Sequence, residues 1–126
     1  MPRRFDHIDL RVHRLSEVRR FYEQLLPALG FTREVGIAGW LTYETEGDDG
    51  PSEFFGITES GSHVPNESRI AFRSHRREDV DRLAGIAVQA GAQRVEGPMF
   101  YDDENYYAVF FEDPSGNRLE ICCRTS

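Results

Sequence analysis

The chain has 126 residues, a formal net charge of −7, 39% hydrophobic residues, nine Phe, five Tyr and a single Trp. That is enough apolar mass for one compact domain with a real core, and it excludes a disordered segment. The acid excess argues against a nucleic-acid partner, which needs a clustered basic face, and no apolar run approaches the roughly 18 residues of a membrane span. All fifteen basic residues are Arg, which excludes Schiff-base catalysis by a lysine side chain and a lysine phosphate loop.

In chain order, Phe5–His13 alternates as a strand, with Ile8, Leu10 and Val12 on one face and His7, Asp9, Arg11 and His13 on the other. The second face is too polar for a core, so it should line solvent or a wet cavity. A helix follows with Ser16 as N-cap and Val18, Phe21, Tyr22, Leu25 and Leu29 as its inward stripe. Pro27 is expected to end its regular part early, before the Gly30 stop. Strands are expected at Thr32–Val35, Gly39–Glu44 and Glu53–Thr58, with Gly47-Asp48-Asp49-Gly50 turning between the last two. Residues 60–67, with Gly61, Pro65 and Asn66, read as a linker.

The plan then repeats. A strand at Arg69–Ser74 leads into a helix over Arg77–Ala90, with Val80, Leu83, Ala84 and Ala87 inward and Gly91 as C-cap. Strands follow at Gln93–Glu96, Tyr106–Glu112 and Arg118–Cys122, with Asp113-Pro114-Ser115-Gly116-Asn117 as a turn between the last two. The offset is 62 residues: Ile8 maps to Ile70, Leu10 to Phe72, Val18 to Val80 and Arg20 to Arg82. A repeat of this length implies two similar units, each too small to bury its face alone. The expected class is α+β, βαβββ twice: a single domain over 1–126 with module one at about 5–59 and module two at about 68–123.

This order, the His7-Ile8 opening and the closing run Phe110-Phe111-Glu112-Asp113-Pro114-Ser115-Gly116-Asn117-Arg118-Leu119-Glu120-Ile121 resemble the vicinal oxygen chelate superfamily of glyoxalases, bleomycin-resistance proteins, fosfomycin-resistance enzymes and extradiol dioxygenases. The resemblance covers nearly the whole chain. It implies two βαβββ modules paired into a half-open, barrel-like cup, and a homodimer. Function is not implied with the fold, because the superfamily hosts several chemistries.

In metal-using members, ligands come from the first and last strand of each module. His7 matches the first of these positions and Glu120 the last, a donor pair suited to Fe, Mn, Ni or Zn. The opening position of module two is Arg69, whose guanidinium offers no lone pair to a metal. At the end of module one the hairpin alignment leaves Glu53 or Phe55, of which only Glu53 could bind a metal. A His7–Glu53–Glu120 set would reach the three protein ligands common in catalytic sites. Alternatively, Arg69 places a fixed charge where the family keeps a cation, pairs with Glu120, or clamps an anionic ligand.

Other residues have plainer readings beside functional ones. Tyr101 and Tyr107 flank an acidic, aromatic stretch that reads either as a lid contacting substrate or as a solvated loop with one anchored tyrosine. Trp40 is a cavity wall or a packing residue at a dimer seam. Arg11 shares the His7 face, where substrate contact and an ion pair with Asp9 compete. Cys122 and Cys123 are adjacent, cannot staple distant segments and read as structural. With no apolar signal core behind Met1-Pro2-Arg3-Arg4-Phe5, the expected compartment is the cytoplasm.

Two functional classes follow. The first is a metal-dependent lyase or dioxygenase, with His7, Glu120 and Glu53 holding the ion and a carboxylate serving as base on a small oxygen-bearing substrate. The second is a metal-free small-molecule binder with aromatic walls, in which Arg69 fixes an anion. Neither involves nucleic acid or a membrane.

Overall fold

A computed structural model describes residues 4–46, 52–102 and 105–124. It divides into two compact units, Met1–Val64 and Pro65–Ser126. The turn expected at 47–50 lies outside the described residues.

Unit one runs β1 (His7–Val12), α1 (Leu15–Ala28), β2 (Arg33–Ile37), β3 (Trp40–Glu44) and β4 (Phe54–Glu59). Its sheet has the order β1-β4-β3-β2, with β1 and β4 parallel and the other pairs antiparallel. The apolar stripe of α1 buries Val18, Phe21, Tyr22, Leu25 and Leu26, which form the core with Val12, Leu41, Tyr43, Phe55 and Ile57. Leu26 therefore takes the place expected of Leu29, which is only half-buried. Phe55 is 1% exposed, so truncating it would cost about 3–5 kcal/mol.

Neither end of α1 follows its sequence signal. Arg14 holds the N-cap position without a side-chain cap, and the Leu15 amide instead donates to Glu59 Oε1 at 2.9 Å. A carboxylate from the end of β4 thus satisfies an open amide of the first turn, and Ser16, expected as the N-cap, lies inside the helix. Pro27 does not stop the helix early: α1 continues to Ala28, and the Leu29 amide closes on Leu25 and Leu26 carbonyls at 3.0 and 3.1 Å.

Unit two repeats the order: β5 (Arg69–Arg73), α2 (Arg77–Ala90), β6 (Gln93–Phe100), β7 (Tyr106–Glu112) and β8 (Arg118–Arg124). Its sheet order is β5-β8-β7-β6, with β5 and β8 parallel. α2 has the expected bounds, inward residues and C-terminus, with Gly91 left-handed at φ 115°. β6 runs four residues further than its sequence signal. Two register shifts against β7 and a positive φ at Arg94 break the alternation that would have revealed its length.

The turn before β8 is fixed by Asp113, which is fully buried. Its carboxylate accepts the amides of Ser115 and Asn117 at 2.8 and 2.9 Å and Asn117 Nδ2 at 3.1 Å. Gly116 has φ +92°, and a Cβ there would lie 2.8 Å from Pro65 Cγ, so no other residue fits without displacement. This turn sets the register with which β8 presents Arg118, Glu120 and Cys122.

Candidate functional site

In each unit one sheet face packs on its helix and the other carries polar groups. On the polar face of unit two, Arg69 lies opposite Arg118, Ala71 opposite Glu120 and Arg73 opposite Cys122. β7 continues these rows with Glu112 beside Arg118, Phe110 beside Glu120 and Ala108 beside Cys122.

A cavity of about 290 Å³ opens on this face. Arg69 lines it with its guanidinium 4.6 Å from the centre of the Phe110 ring, a cation–π contact of about 0.5–2 kcal/mol. Arg118 lines it from the adjacent strand, and Tyr101 packs edge-on against Phe110 at 4.9 Å. Arg94 and Glu112 face each other across the rim at 3.4 Å, and the Tyr101 hydroxyl donates to Glu96 at 3.3 Å. Both carboxylates of the cavity thus have partners. Among the described residues Arg69 and Arg118 enter no ion pair.

Glu120 is 6% exposed and accepts a short hydrogen bond from the Tyr106 hydroxyl. The expected Arg69–Glu120 ion pair is not formed. The strand register puts Glu120 across from Ala71, two residues beyond Arg69's partner, and Arg69 spreads over Phe110 instead. Burial, then the hydrogen bond to Glu120, pushes the Tyr106 phenol up to about 12, so Tyr106 remains a proton donor at neutral pH. Arg124 covers its ring at 4.2 Å. Burial first, and then the neighbouring Glu120 charge, raises the Cys122 thiol, the opposite of what a nucleophilic cysteine requires.

The corresponding face of unit one is built differently. The His7 ring stacks on Phe54 at 4.4 Å with the planes 4° apart, and its Nδ1 lies 2.7 Å from Asp6. Arg11 binds Asp9 at 3.1 Å, and Thr58 donates to Asp9 at 3.0 Å. Asp9 faces Gly56 across the β1–β4 ladder, as Ala71 faces Glu120 in unit two. The unit-one counterpart of Glu120 is therefore Gly56, and neither Glu53 nor Phe55. Glu53 lies just before β4, with its amide bonded to Thr45 Oγ1 at 3.1 Å, and Phe55 points into the core. Trp40 opens β3 and is 39% exposed.

Tyr101 and Tyr107 line different cavities. Tyr107 sits on the helix face of its sheet, donates to Asp81 of α2 at 2.6 Å and packs on Phe100. It lines a separate concavity of about 560 Å³ at the start of α2. Alternation along β7 and β8 was a legible signal for Phe110 and Arg118, which share the Glu120 face. No sequence signal marked Arg94 or Glu96, because the bulges in β6 decide where they point.

A family model describing the Glyoxalase/Bleomycin resistance protein/Dioxygenase superfamily matches residues 4–121. The chain belongs to that superfamily. No curated protein matches it. Among solved structures it is similar to a glyoxalase/bleomycin resistance protein from Albidiferax ferrireducens, at 26% identity and a TM-score of 0.76, covering 96% of this chain and 98% of that one. The fosfomycin resistance protein FosX from Listeria monocytogenes shares the fold at 19% identity and a TM-score of 0.72, covering 99% and 96%. A mutant of that FosX, complexed with Mn(II) and 1S,2S-dihydroxypropylphosphonic acid, aligns at a TM-score of 0.70 and 19% identity over 99% and 93%.

That FosX mutant is complexed with Mn(II), so the donor chemistry of this chain decides whether a divalent metal fits. It does not. Arg69 presents a permanent cation with no lone pair, and Gly56 brings no side chain. Glu120 is engaged by Tyr106. Among the described residues no three His, Cys, Asp or Glu side chains gather as a ligand set. Among the described residues no helix is long and apolar enough to cross a membrane.

Proposed function

We propose that this superfamily member is a metal-independent binder of a small anionic molecule, held in the cavity on the β5-β8-β7-β6 sheet. One observation carries the reading: Arg69 is spread over Phe110 beside Arg118, and both guanidinium groups lack a carboxylate partner among the described residues. A guanidinium presents paired N–H donors that match a carboxylate or phosphate in two parallel hydrogen bonds. The Phe110 and Tyr101 rings add a wall for an aromatic or apolar portion of the ligand. Tyr106 keeps Glu120 supplied with a donor, so the buried carboxylate does not compete for the two arginines.

The reading favours the bleomycin-resistance type of function over the metal-dependent lyase or dioxygenase. The Mn(II) complex of the FosX relative keeps the metal-dependent reading in the test below. The same proposal takes the protein as a cytoplasmic homodimer, which sedimentation at micromolar concentration checks.

Thermal shift against benzoate and phenyl phosphate, followed by calorimetry, tests the proposal. Wild type should bind at least one of them, with Arg69→Gln and Arg118→Gln each weakening binding on the order of tenfold or more, as for a lost charge-assisted hydrogen bond. Indifference to every anion, or binding only after Mn(II) is added, would overturn it.

A further inference from the structure

Arg94 is held in a backbone conformation that costs free energy. Its φ of +52° lies in the left-handed region, which residues with a Cβ occupy rarely and glycine occupies without penalty. The cause is a β-bulge. Gln93 lies opposite Glu112 and Glu96 opposite Phe110, so three steps along β6 match two along β7. In an unbroken strand Arg94 would project to the other side of the sheet from Gln93, toward α2. The extra residue re-aims it, and Arg94 lines the cavity with Glu112 and Arg118.

The side chain so aimed meets one carboxylate: Arg94 Nε lies 3.4 Å from Glu112 Oε1. The Arg94 side chain is 81% exposed, so this pair adds little to the stability of the fold. Its consequence lies in what Glu112 would otherwise do. Glu112 stands directly opposite Arg118 in the β7–β8 ladder, and opposite charges facing each other across an antiparallel pair are within reach and attract. Among the described residues Arg118 nevertheless enters no ion pair, because Glu112 is turned to Arg94. Strained residues of this kind collect at ligand clamps, and here the strained residue draws away the carboxylate that competes for a cavity cation.

We infer that Arg94 is a positioning residue: it holds Glu112 at the rim and so keeps the Arg118 guanidinium available to an anionic ligand. The inference rests on the reading of this cavity as an anion site. It adds that occupancy is a competition between two acids, Glu112 and the ligand, for Arg118. Without the Arg94 side chain, Glu112 turns to the residue opposite and neutralises it from within the protein. Arg94 acts through Glu112 and does not itself touch the ligand.

Calorimetric titration of benzoate and phenyl phosphate into the full chain and its variants tests the role. Arg94→Gln should weaken binding about three- to fivefold, the scale of a partly exposed ion pair. Arg94→Gly removes the side chain but adopts the left-handed conformation without strain. It should fold at least as stably as wild type and show the same loss, which separates the effect from damage to the strand. Arg94→Lys keeps the charge and should retain most of the affinity. Glu112→Gln should bind at least as tightly as wild type, and adding Arg94→Gln to it should then change nothing. The same loss from Arg94→Gln in both backgrounds would overturn the proposal, since Arg94 would then act on the ligand or the strand directly. Undiminished binding in Arg94→Gln, with wild type binding normally, would overturn this role alone. Wild type that binds neither probe would remove the anion site and the role with it.

Discussion

Units one and two share an element order, a sheet order and a ladder register, yet hold opposite chemistry at matched positions. Where unit two has Arg69, unit one has His7, and where unit two has Glu120, unit one has Gly56. Arg118 corresponds to Phe54 and Phe110 to Thr42 by the same ladders. Unit two has thus concentrated cations and a buried carboxylate, while unit one has concentrated rings and an unmet hydroxyl. The backbone repeat is maintained by apolar residues facing the helices, which leaves the opposite face free to diverge. At the ladder positions of His7 and Glu120, where the resemblance places metal donors, the other unit has Arg69 and Gly56.

The comparison breaks most severely if the anion preference of unit two is not its own. Arg69→Gln should lower affinity for an anionic ligand on the order of 10–100-fold, and His7→Gln should leave it nearly unchanged. Calorimetry on the two variants, side by side, checks this. Equal losses would mean that the cationic cavity is not the binding determinant.

The next effect is on stability. Tyr106→Phe removes the hydroxyl donor from Glu120, which is 6% exposed. Urea unfolding should show a loss of about 1–3 kcal/mol, the cost of under-satisfying a buried polar group. In unit one the same logic runs backwards. Thr42→Val deletes a hydroxyl that has no partner, so it should be neutral or stabilising by up to about 1 kcal/mol. A clear destabilisation by Thr42→Val would show that the hydroxyl is satisfied in solution.

Much of this architecture was legible in the sequence, and the parts that were not share a physical cause. The 62-residue offset between Ile8 and Ile70, and between Val18 and Val80, depends on alternation and helical spacing that survive any change on the polar face. The α2 bounds followed from Gly91, whose left-handed conformation is a local property. Long-range contacts were not readable: Glu59 serving the first amide of α1, and Arg69 lying over Phe110 instead of reaching Glu120. The module-one end was misread because alignment by turns depends on loop length. The ladder puts Gly56 where Glu53 or Phe55 was expected.

The smallest expected effect is a pH dependence with one tyrosine in each unit. Burial first and then Glu34 push Tyr43 up to about 12, and Tyr106 reaches about 12 through burial and Glu120. An unfolded tyrosine titrates near 10. Each folded phenol therefore holds its proton more tightly than the unfolded chain does. The stability this supplies is fully present below about pH 10 and is lost as pH rises towards 12. Urea midpoints across that range should fall less steeply in Tyr43→Phe and Tyr106→Phe, each removing the contribution of one unit.

The most direct measurement is calorimetric titration of phenyl phosphate or benzoate into chelator-dialysed protein, repeated after adding Mn(II), Fe(II), Ni(II) or Zn(II). The account predicts binding with the same affinity in all samples, abolished or strongly weakened by Arg69→Gln. Binding that appears only with a divalent metal, and vanishes in His7→Ala, would contradict it.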